Sequence, residues 1–339
     1  MPSEPAGDYT LVRPPPIEDG RLWDDRAQRW VELKPPARAL LAGLGADDDV
    51  AAAVARYVAA AEPEAPRESA VAAARARTYL LALHHRDIVK LHVAPPQLPA
   101  GLTLGAELGR GGTAVAYAAT GSAGEALVAK VAWPFFRSVD KANAALEHEA
   151  RLFTLIDSPH APHVRDCFAL SDGRVVLVRD HVAGLTLTEL VLTGPAPAAA
   201  AVKRIVADVA ALLTTLHAAG HALVDIKPGN FLDDGATTRV LDVGFAVPFG
   251  TVATPRATPG FVPPELVRER RVDARSDVWG IGRLYQFLLT GKLYVGPLVA
   301  TSRLVADAPE SARAAIATLC AEDPDERPAT AAAALALVH

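Results

Sequence analysis

Cysteine is nearly absent. The two residues, Cys167 and Cys320, stand far apart in a chain of 339 and have no Cys-x-x-Cys or histidine-rich neighbourhood. That excludes a disulfide framework and a zinc site, and points to free thiols in a reducing compartment. Apolar runs of bilayer-spanning length are missing, and "MPSEPAGDYTLVRPPP" lacks the basic start and apolar core of a signal peptide. Both absences point to a cytoplasmic protein with no membrane partner. Basic runs are missing as well: 34 Lys and Arg are mixed with 39 Asp and Glu for a net charge of -5, which argues against a nucleic acid as the main partner. No internal repeat occurs at solenoid spacing. What is there is a half-hydrophobic, alanine-rich composition with 24 Gly and 27 Pro, that of a soluble globular chain long enough for two domains.

The order of patterns divides the chain. "GRLWDDRAQRWVEL" alternates apolar and polar residues around a polar turn, predicting a β-hairpin from Arg21 to Leu33. Three helices follow in "KPPARALLAGLG", "ADDDVAAAVARYVAA" and "RESAVAAARARTYLLALHH". "VAPPQLPAGLTL" reads as a linker, which places a first domain at residues 1–95, the linker at 96–102 and a second domain at 103–339. The second domain opens with short β runs, "LTLGAELG", "AVAYAAT" and "ALVAKVA", then a helix, "DKANAALEHEARLFTLI". Another hairpin, "HVRDCFAL" with "RVVLVRDHV", precedes a mostly helical remainder. A small β lobe followed by a larger α lobe places a ligand cleft between the two.

Phosphoryl transfer needs charge neutralised around the phosphates, a divalent cation, and a group that orients the attacking hydroxyl. Each need has a candidate. In "LGRGGTAVAY", Gly109, Gly111 and Gly112 would let backbone amides approach phosphate oxygens, or would simply turn a hairpin. Lys130 sits in an apolar strand, and Glu149 in the helix nineteen residues beyond it is its candidate partner. The strongest signal joins "VDIKPGN" to "VLDVGFA". Asp225 would orient the nucleophile and accept its proton, Lys227 would stabilise the transferred group, and Asn230 and Asp242 supply the hard oxygen ligands that Mg²⁺ prefers.

Residues 103–339 resemble the Hanks-type Ser/Thr protein kinase domain in its bacterial form. The motifs run in the family's order: "LGRGGTAVAY", "VAK", "EARLFTLIDSPH", "LVRDHVAG", "VDIKPGN", "DVG", "TPGFVPPE", "RSDVWGIG" and "DPDERP". The resemblance implies an α+β, bilobal kinase fold using ATP and Mg²⁺. It implies nucleotide contacts from Asp180, Val182 and Leu232, a structural pair of Glu265 with Arg327, and Asp277 beneath the catalytic loop. The lysine two residues after Asp225 and Thr258 before Pro-Gly resemble the Ser/Thr branch. There are departures. Ala114 replaces the third loop glycine and Ala116 the usual valine. Leu223 and Val243 replace a stacking His and Phe. Val224 replaces the arginine that binds a phosphorylated activation loop, so activity is expected not to depend on phosphorylation of Thr251, Thr254 or Thr258. Arg179 stands where the back of the adenine pocket is expected. There it must pair, with Glu149 as one partner, or stay wet; otherwise the hinge register is shifted by one.

Residues 10–92 resemble the PqqD-like domains that recognise leader peptides of ribosomally made precursors, on a strand pair and helix order; a generic winged-helix-like module is the other reading. Three functions follow. The first is a Ser/Thr kinase acting on a protein or peptide, with a leader peptide held by the N-terminal domain. The second is a pseudokinase scaffold. The third is a small-molecule phosphotransferase, against which "TPGFVPPE" argues as a peptide platform.

Overall fold

The computed structural model describes residues 7–11, 17–19, 21–24, 29–42, 50–63, 66–84, 89–93, 95–111, 113–133, 139–251, 260–268, 272–292 and 308–338. Two compact units are formed, residues 1–147 with 166–178, and residues 148–165 with 179–339.

In the first unit the expected hairpin is present as β3 (Arg21–Asp24) and β4 (Arg29–Glu32), with Leu22 opposite Val31. A short β2 (Ile17–Glu18) adds to β3, so that β4 is an edge strand among the described residues. Helices α1 (Pro35–Ala42), α2 (Val50–Ala60) and α3 (Pro66–His84) follow where the periodicity placed them. Their buried residues repeat at helical spacing: Ala37, Leu40 and Leu41; Val50, Ala53, Val54 and Tyr57; Ala72, Ala76, Leu80 and Leu83. One pairing was not expected. β1 (Gly7–Leu11) runs antiparallel to β5 (Val89–Val93), from Gly7 opposite Val93 to Leu11 opposite Val89.

Beyond residue 95 a five-stranded sheet forms in the order β6 (Thr103–Arg110), β7 (Ala114–Thr120), β8 (Ala126–Ala132), β10 (Val175–Asp180), β9 (Val164–Ala169). Leu127, Ala129 and Val131 alternate onto one buried face with Val176 and Val178. Ala132 and Val175 lie against Ala142 and Leu146 of α4 (Val139–Leu155). By the two-residue period Lys130 shares the side of Ala132. The helical module does not end at its own boundary: Val115 and Trp133 complete its core, with Tyr117 packed alongside.

The second unit is built on two helices, α6 (Ala199–Ala218) and α8 (Ala274–Thr290). Every residue of α8 from Ser276 to Leu288 is buried. Asp273 caps its start in a reciprocal pair with Ser276, and Gly291 ends it in the left-handed conformation with φ 65°. Within α8, a Cβ at Gly280 would lie 2.7 Å from Cβ of Ile226, so the helix reaches the loop containing Ile226 only because that residue is glycine.

Candidate active site

The loop after α6 holds Asp225, Lys227 and Asn230. β12 (His221–Ala222) pairs with β15 (Val247–Pro248), and a single 3₁₀ turn spans Pro228–Asn230. Between them Asp277 of α8, 0% exposed, accepts the N–H of Leu223 at 2.7 Å and of Val224 at 2.8 Å. Nε2 of His217, in the last turn of α6, lies 2.8 Å from the same carboxylate. Val224 is held at φ 69°, a conformation that is a genuine outlier for a β-branched residue. This is where Asp277 was placed by resemblance; His217 was not foreseen, and its only signal was a histidine closing an amphipathic helix just before the loop.

Asp225 is 2% exposed and accepts Nζ of Lys227 at 2.6 Å and Nδ2 of Asn230 at 3.0 Å. Nδ2 of Asn230 also donates to the Asp225 carbonyl at 3.0 Å, which orients the amide and leaves its oxygen as the end able to take a cation. Leu241 N–H donates to the Asn230 carbonyl at 2.7 Å, tying the segment before Asp242 to the same turn. Asp242 accepts the N–H of Gly244 at 2.8 Å. A Cβ on Gly244 would stand 3.2 Å from Oδ1 of Asp242 and 3.8 Å from Oε2 of Glu149, so both carboxylates border one turn. The second unit therefore brings together Asp225, Lys227, Asn230, Asp242 and Glu149. Lys130 belongs to the first unit. Among the described residues no group of three or more His, Cys, Asp or Glu is placed to hold a metal ion by itself; one amide oxygen and one carboxylate suit a hard cation that takes its remaining ligands from phosphate and water.

Of the glycine loop, Gly109 pairs opposite Ala116 and has open space where a Cβ would be. Gly111 donates its N–H to the Ala114 carbonyl at 2.9 Å, closing the turn. Gly112 lies outside the described residues, as do Thr254 and Thr258. Arg110 pairs with Glu107 at 2.8 Å and lies 4.5 Å over the Trp133 ring.

At the hinge, Asp180 donates its N–H to the His163 carbonyl at 3.0 Å. Val182 is buried, and Leu232 is half-buried on β13 (Phe231–Asp233). A cavity of about 470 Å³ opens beside Asp180, Val182, His163, Asp234 and Arg239. Neither Leu232 nor the catalytic loop lines it. Arg179 is 5% exposed, and Nη1 donates to the Asp180 carbonyl at 3.1 Å. Burial holds its pKa below the usual arginine range, while Glu149, Asp242 and Asp180 act to raise it. It forms no ion pair with Glu149 among the described residues, so the expected competition for that carboxylate takes the form of a field, not a contact.

The segment after Asp242 is tied at both ends. Phe249 N–H donates to Gly220 and Gly250 N–H to Val272, each at 2.8 Å. At the far end Nε of Arg283, on α8, donates to the Gly260 carbonyl at 2.8 Å. Val224 packs with Ala222, Leu266, Val272, Val247 and Val262. Glu265 and Arg327 form a buried two-pronged pair at 2.9 Å for each prong, with Ser276 donating to the same carboxylate at 3.0 Å. The pair expected by resemblance is thus present.

Compared with known proteins, residues 102–336 match the family model of the protein kinase domain. The chain is similar to the serine/threonine-protein kinase ULK3 of Xenopus laevis, 27% identical over 59% of this chain and 44% of that protein. It is similar to the serine/threonine-protein kinase pkn3 of Myxococcus xanthus, 28% identical over 49% of this chain and 33% of that protein. The CBL-interacting protein kinase 4 of Oryza sativa subsp. japonica is 31% identical over 56% of this chain and 44% of its own length. The match therefore spans less than half of each of these relatives. Among the described residues no helix is long and apolar enough to cross a membrane.

Proposed function

The chain belongs to the protein kinase domain family, and from that premise we propose that it transfers the γ-phosphoryl group of ATP to a Ser or Thr hydroxyl of a protein or peptide. The observation that carries the reading is the Asp225 cluster, with Lys227 at 2.6 Å and Asn230 at 3.0 Å on a backbone clamped by Asp277. Asp225 accepts the hydroxyl proton as the oxygen attacks the γ-phosphorus and the bond from that phosphorus to the β,γ-bridging oxygen breaks, releasing ADP, and Lys227 lies beside it to neutralise charge on the transferred group. Asn230 and Asp242 would hold Mg²⁺, which supplies charge neutralisation on the phosphates when bound. Lys130 takes the role of phosphate lysine and Glu149 that of its counter-charge. Gly109, Gly111 and Gly112 cover the phosphates, and Asp180, Val182 and Leu232 contact the base.

Labelled ATP and Mg²⁺ incubated with the protein and candidate peptides test this reading against Asp225→Asn. Label on the protein or a peptide, lost in the variant, is the expected result. No label with the wild type would sink it and leave a pseudokinase, the reading that buried Arg179 favours.

For the N-terminal module we propose leader-peptide recognition by strand addition. It is supported by a three-stranded sheet whose edge, β4, runs directly into α1. Deleting residues 1–95 would uncover Val115 and Trp133, so a cleaner test uses Trp30→Pro and Val31→Pro. These neighbours point their N–H groups to opposite edges, and only one of the two should abolish peptide binding. Unchanged binding in both overturns the proposal.

A further inference from the structure

Trp133 joins the N-terminal module to the turn between β6 and β7 that carries Gly111. It stands directly after β8 and is 2% exposed, in a core that includes Leu40 of α1, Tyr57 of α2 and Leu80 of α3. Two contacts run from it to the turn. Its backbone N–H donates to the Thr113 carbonyl at 2.8 Å. Its ring lies 4.5 Å from the Arg110 guanidinium, which Glu107 fixes through hydrogen bonds at 3.1 Å to Nε and 2.8 Å to Nη2. Arg110 precedes Gly111 and Thr113 leads into β7, so one buried tryptophan meets both arms of the turn.

The ladder beneath the turn is irregular. Its register shifts between Leu104 and Glu107 and again between Glu107 and Gly109, and such interruptions weaken what backbone pairing alone can specify. A fixed support outside the ladder therefore matters here. The support also lies on the useful side. Val115, which completes the module's core with Trp133, pairs opposite Val131, whereas Ala116 pairs opposite Lys130. Side chains alternate along a strand, so the module holds the face away from Lys130 and leaves the lysine's face to a ligand. Resting on the reading that the glycine turn covers the nucleotide phosphates, we propose that Trp133 is the positioning residue of that turn, so that the N-terminal module's core sets nucleotide affinity. A ligand that shifts this core changes nucleotide affinity, and the nucleotide changes that ligand's affinity by the same factor.

Two measurements on the full-length protein test this: equilibrium binding of Mg²⁺-ATP, and hydrogen exchange at the amides of Gly111 and position 133. The variants are Trp133→Leu, Trp133→Phe, Arg110→Met and Leu127→Ala. Leucine fills part of the core but gives Arg110 no ring, and phenylalanine restores one. Leu127 is buried in β8 within a different cluster, so its variant controls for lost stability, read by thermal unfolding. In Trp133→Leu both amides should exchange faster and nucleotide should bind at least about fivefold more weakly. Trp133→Phe should restore both, and Leu127→Ala should move neither while lowering the unfolding midpoint. Adding Arg110→Met to Trp133→Leu should weaken binding no further, because the two residues share one contact. Should Trp133→Leu not fold, Arg110→Met alone, which leaves the module's core intact, must show the same weakening. Wild-type exchange in Trp133→Leu, faster exchange with unchanged nucleotide affinity, a phenylalanine variant no better than leucine, or equal effects in Leu127→Ala would each overturn the assignment. Nucleotide bound but never transferred would sink the kinase reading alone. A wild type that binds no nucleotide would sink that reading and the affinity claim together, and exchange at the two amides would still decide whether Trp133 holds the turn.

Discussion

Asp277 accepts the N–H of Val224 at 2.8 Å while that valine sits at φ 69°. The carboxylate is thus what keeps a strained backbone in place one residue before Asp225. In Asp277→Asn a single oxygen must serve two buried amides, and the one left unmade costs about 1–3 kcal/mol. Displacing Asp225 by even an ångström would lower kcat about 10²-fold. Thermal unfolding and peptide kinetics should show both losses; a variant with normal kcat would mean that the loop holds its shape unaided.

Val224 itself poses a question of sign. Glycine would remove a left-handed strain of about 1–2 kcal/mol. It would also surrender the buried valine side chain, about 1.5–3 kcal/mol, and add about 0.5–1 kcal/mol of chain entropy. Packing against Leu266 and Val272 wins, so Val224→Gly is expected to be less stable by about 1 kcal/mol in denaturant unfolding. A more stable variant would show that strain outweighs the apolar cluster.

The same cluster bears on regulation. An apolar residue at 224 gives a phosphate no counter-charge, and the segment is instead tied by Val247 and Val262 around Val224 and by Arg283 to Gly260. Replacing Thr251, Thr254 and Thr258 together by Ala should leave the transfer rate at its wild-type value. Arg283→Met should instead raise the peptide KM about tenfold, because a charged hydrogen bond of about 1.5–3 kcal/mol is lost, with the KM for nucleotide unchanged. Activity abolished in the triple variant would return control to phosphorylation.

Much of this was readable from local pattern. Helical and alternating periodicity located α1 to α4 and the strands β3, β4 and β6 to β8, and the spacing of Asp225, Lys227, Asn230 and Asp242 picked out the candidate site. What escaped depends on partners distant in sequence. Strand β1 has only five residues, and its complement β5 begins at Val89, so neither alone carries a pairing signal. Val115 lies in β7 and Trp133 directly after β8, strands of one sheet, yet both complete the core of another module. His217 and Arg283 act through contacts with residues 60 and 23 positions away. Arg283 did carry a visible mark, a lone charge inside the apolar run "VWGIGRLYQFLL".

Gly280 tests how closely α8 supports the catalytic loop. An added methyl would lie 2.7 Å from Cβ and 2.8 Å from Cδ1 of Ile226, inside any tolerable contact. Overpacking of this kind costs about 1–3 kcal/mol. Relief comes by shifting the loop, because α8 is buried along most of its length. Gly280→Ala should therefore lose catalytic rate more severely than stability, measured by kcat against the unfolding midpoint. Equal stability and rate to the wild type would show that Ile226 repacks freely.

Cys320 gives a dependence on pH with a definite sign. Fully buried behind Gly282, its thiol is pushed up to about 12 from an ordinary value of 9.0 by burial, with Arg283 and Arg327 acting the other way. The folded state therefore holds the proton more tightly than the unfolded chain. This contribution to stability is complete below about pH 9 and is lost as pH rises towards 12, by about 1.4 kcal/mol per pH unit. Cys320→Ala removes that alkaline slope, at the cost of a small cavity at all pH values. In the native protein the thiol should also resist a thiolate-directed alkylating agent at pH 8 and react only after unfolding. Rapid native labelling of Cys320, or an unchanged alkaline slope in Cys320→Ala, would show that the thiol is not sealed beneath α8.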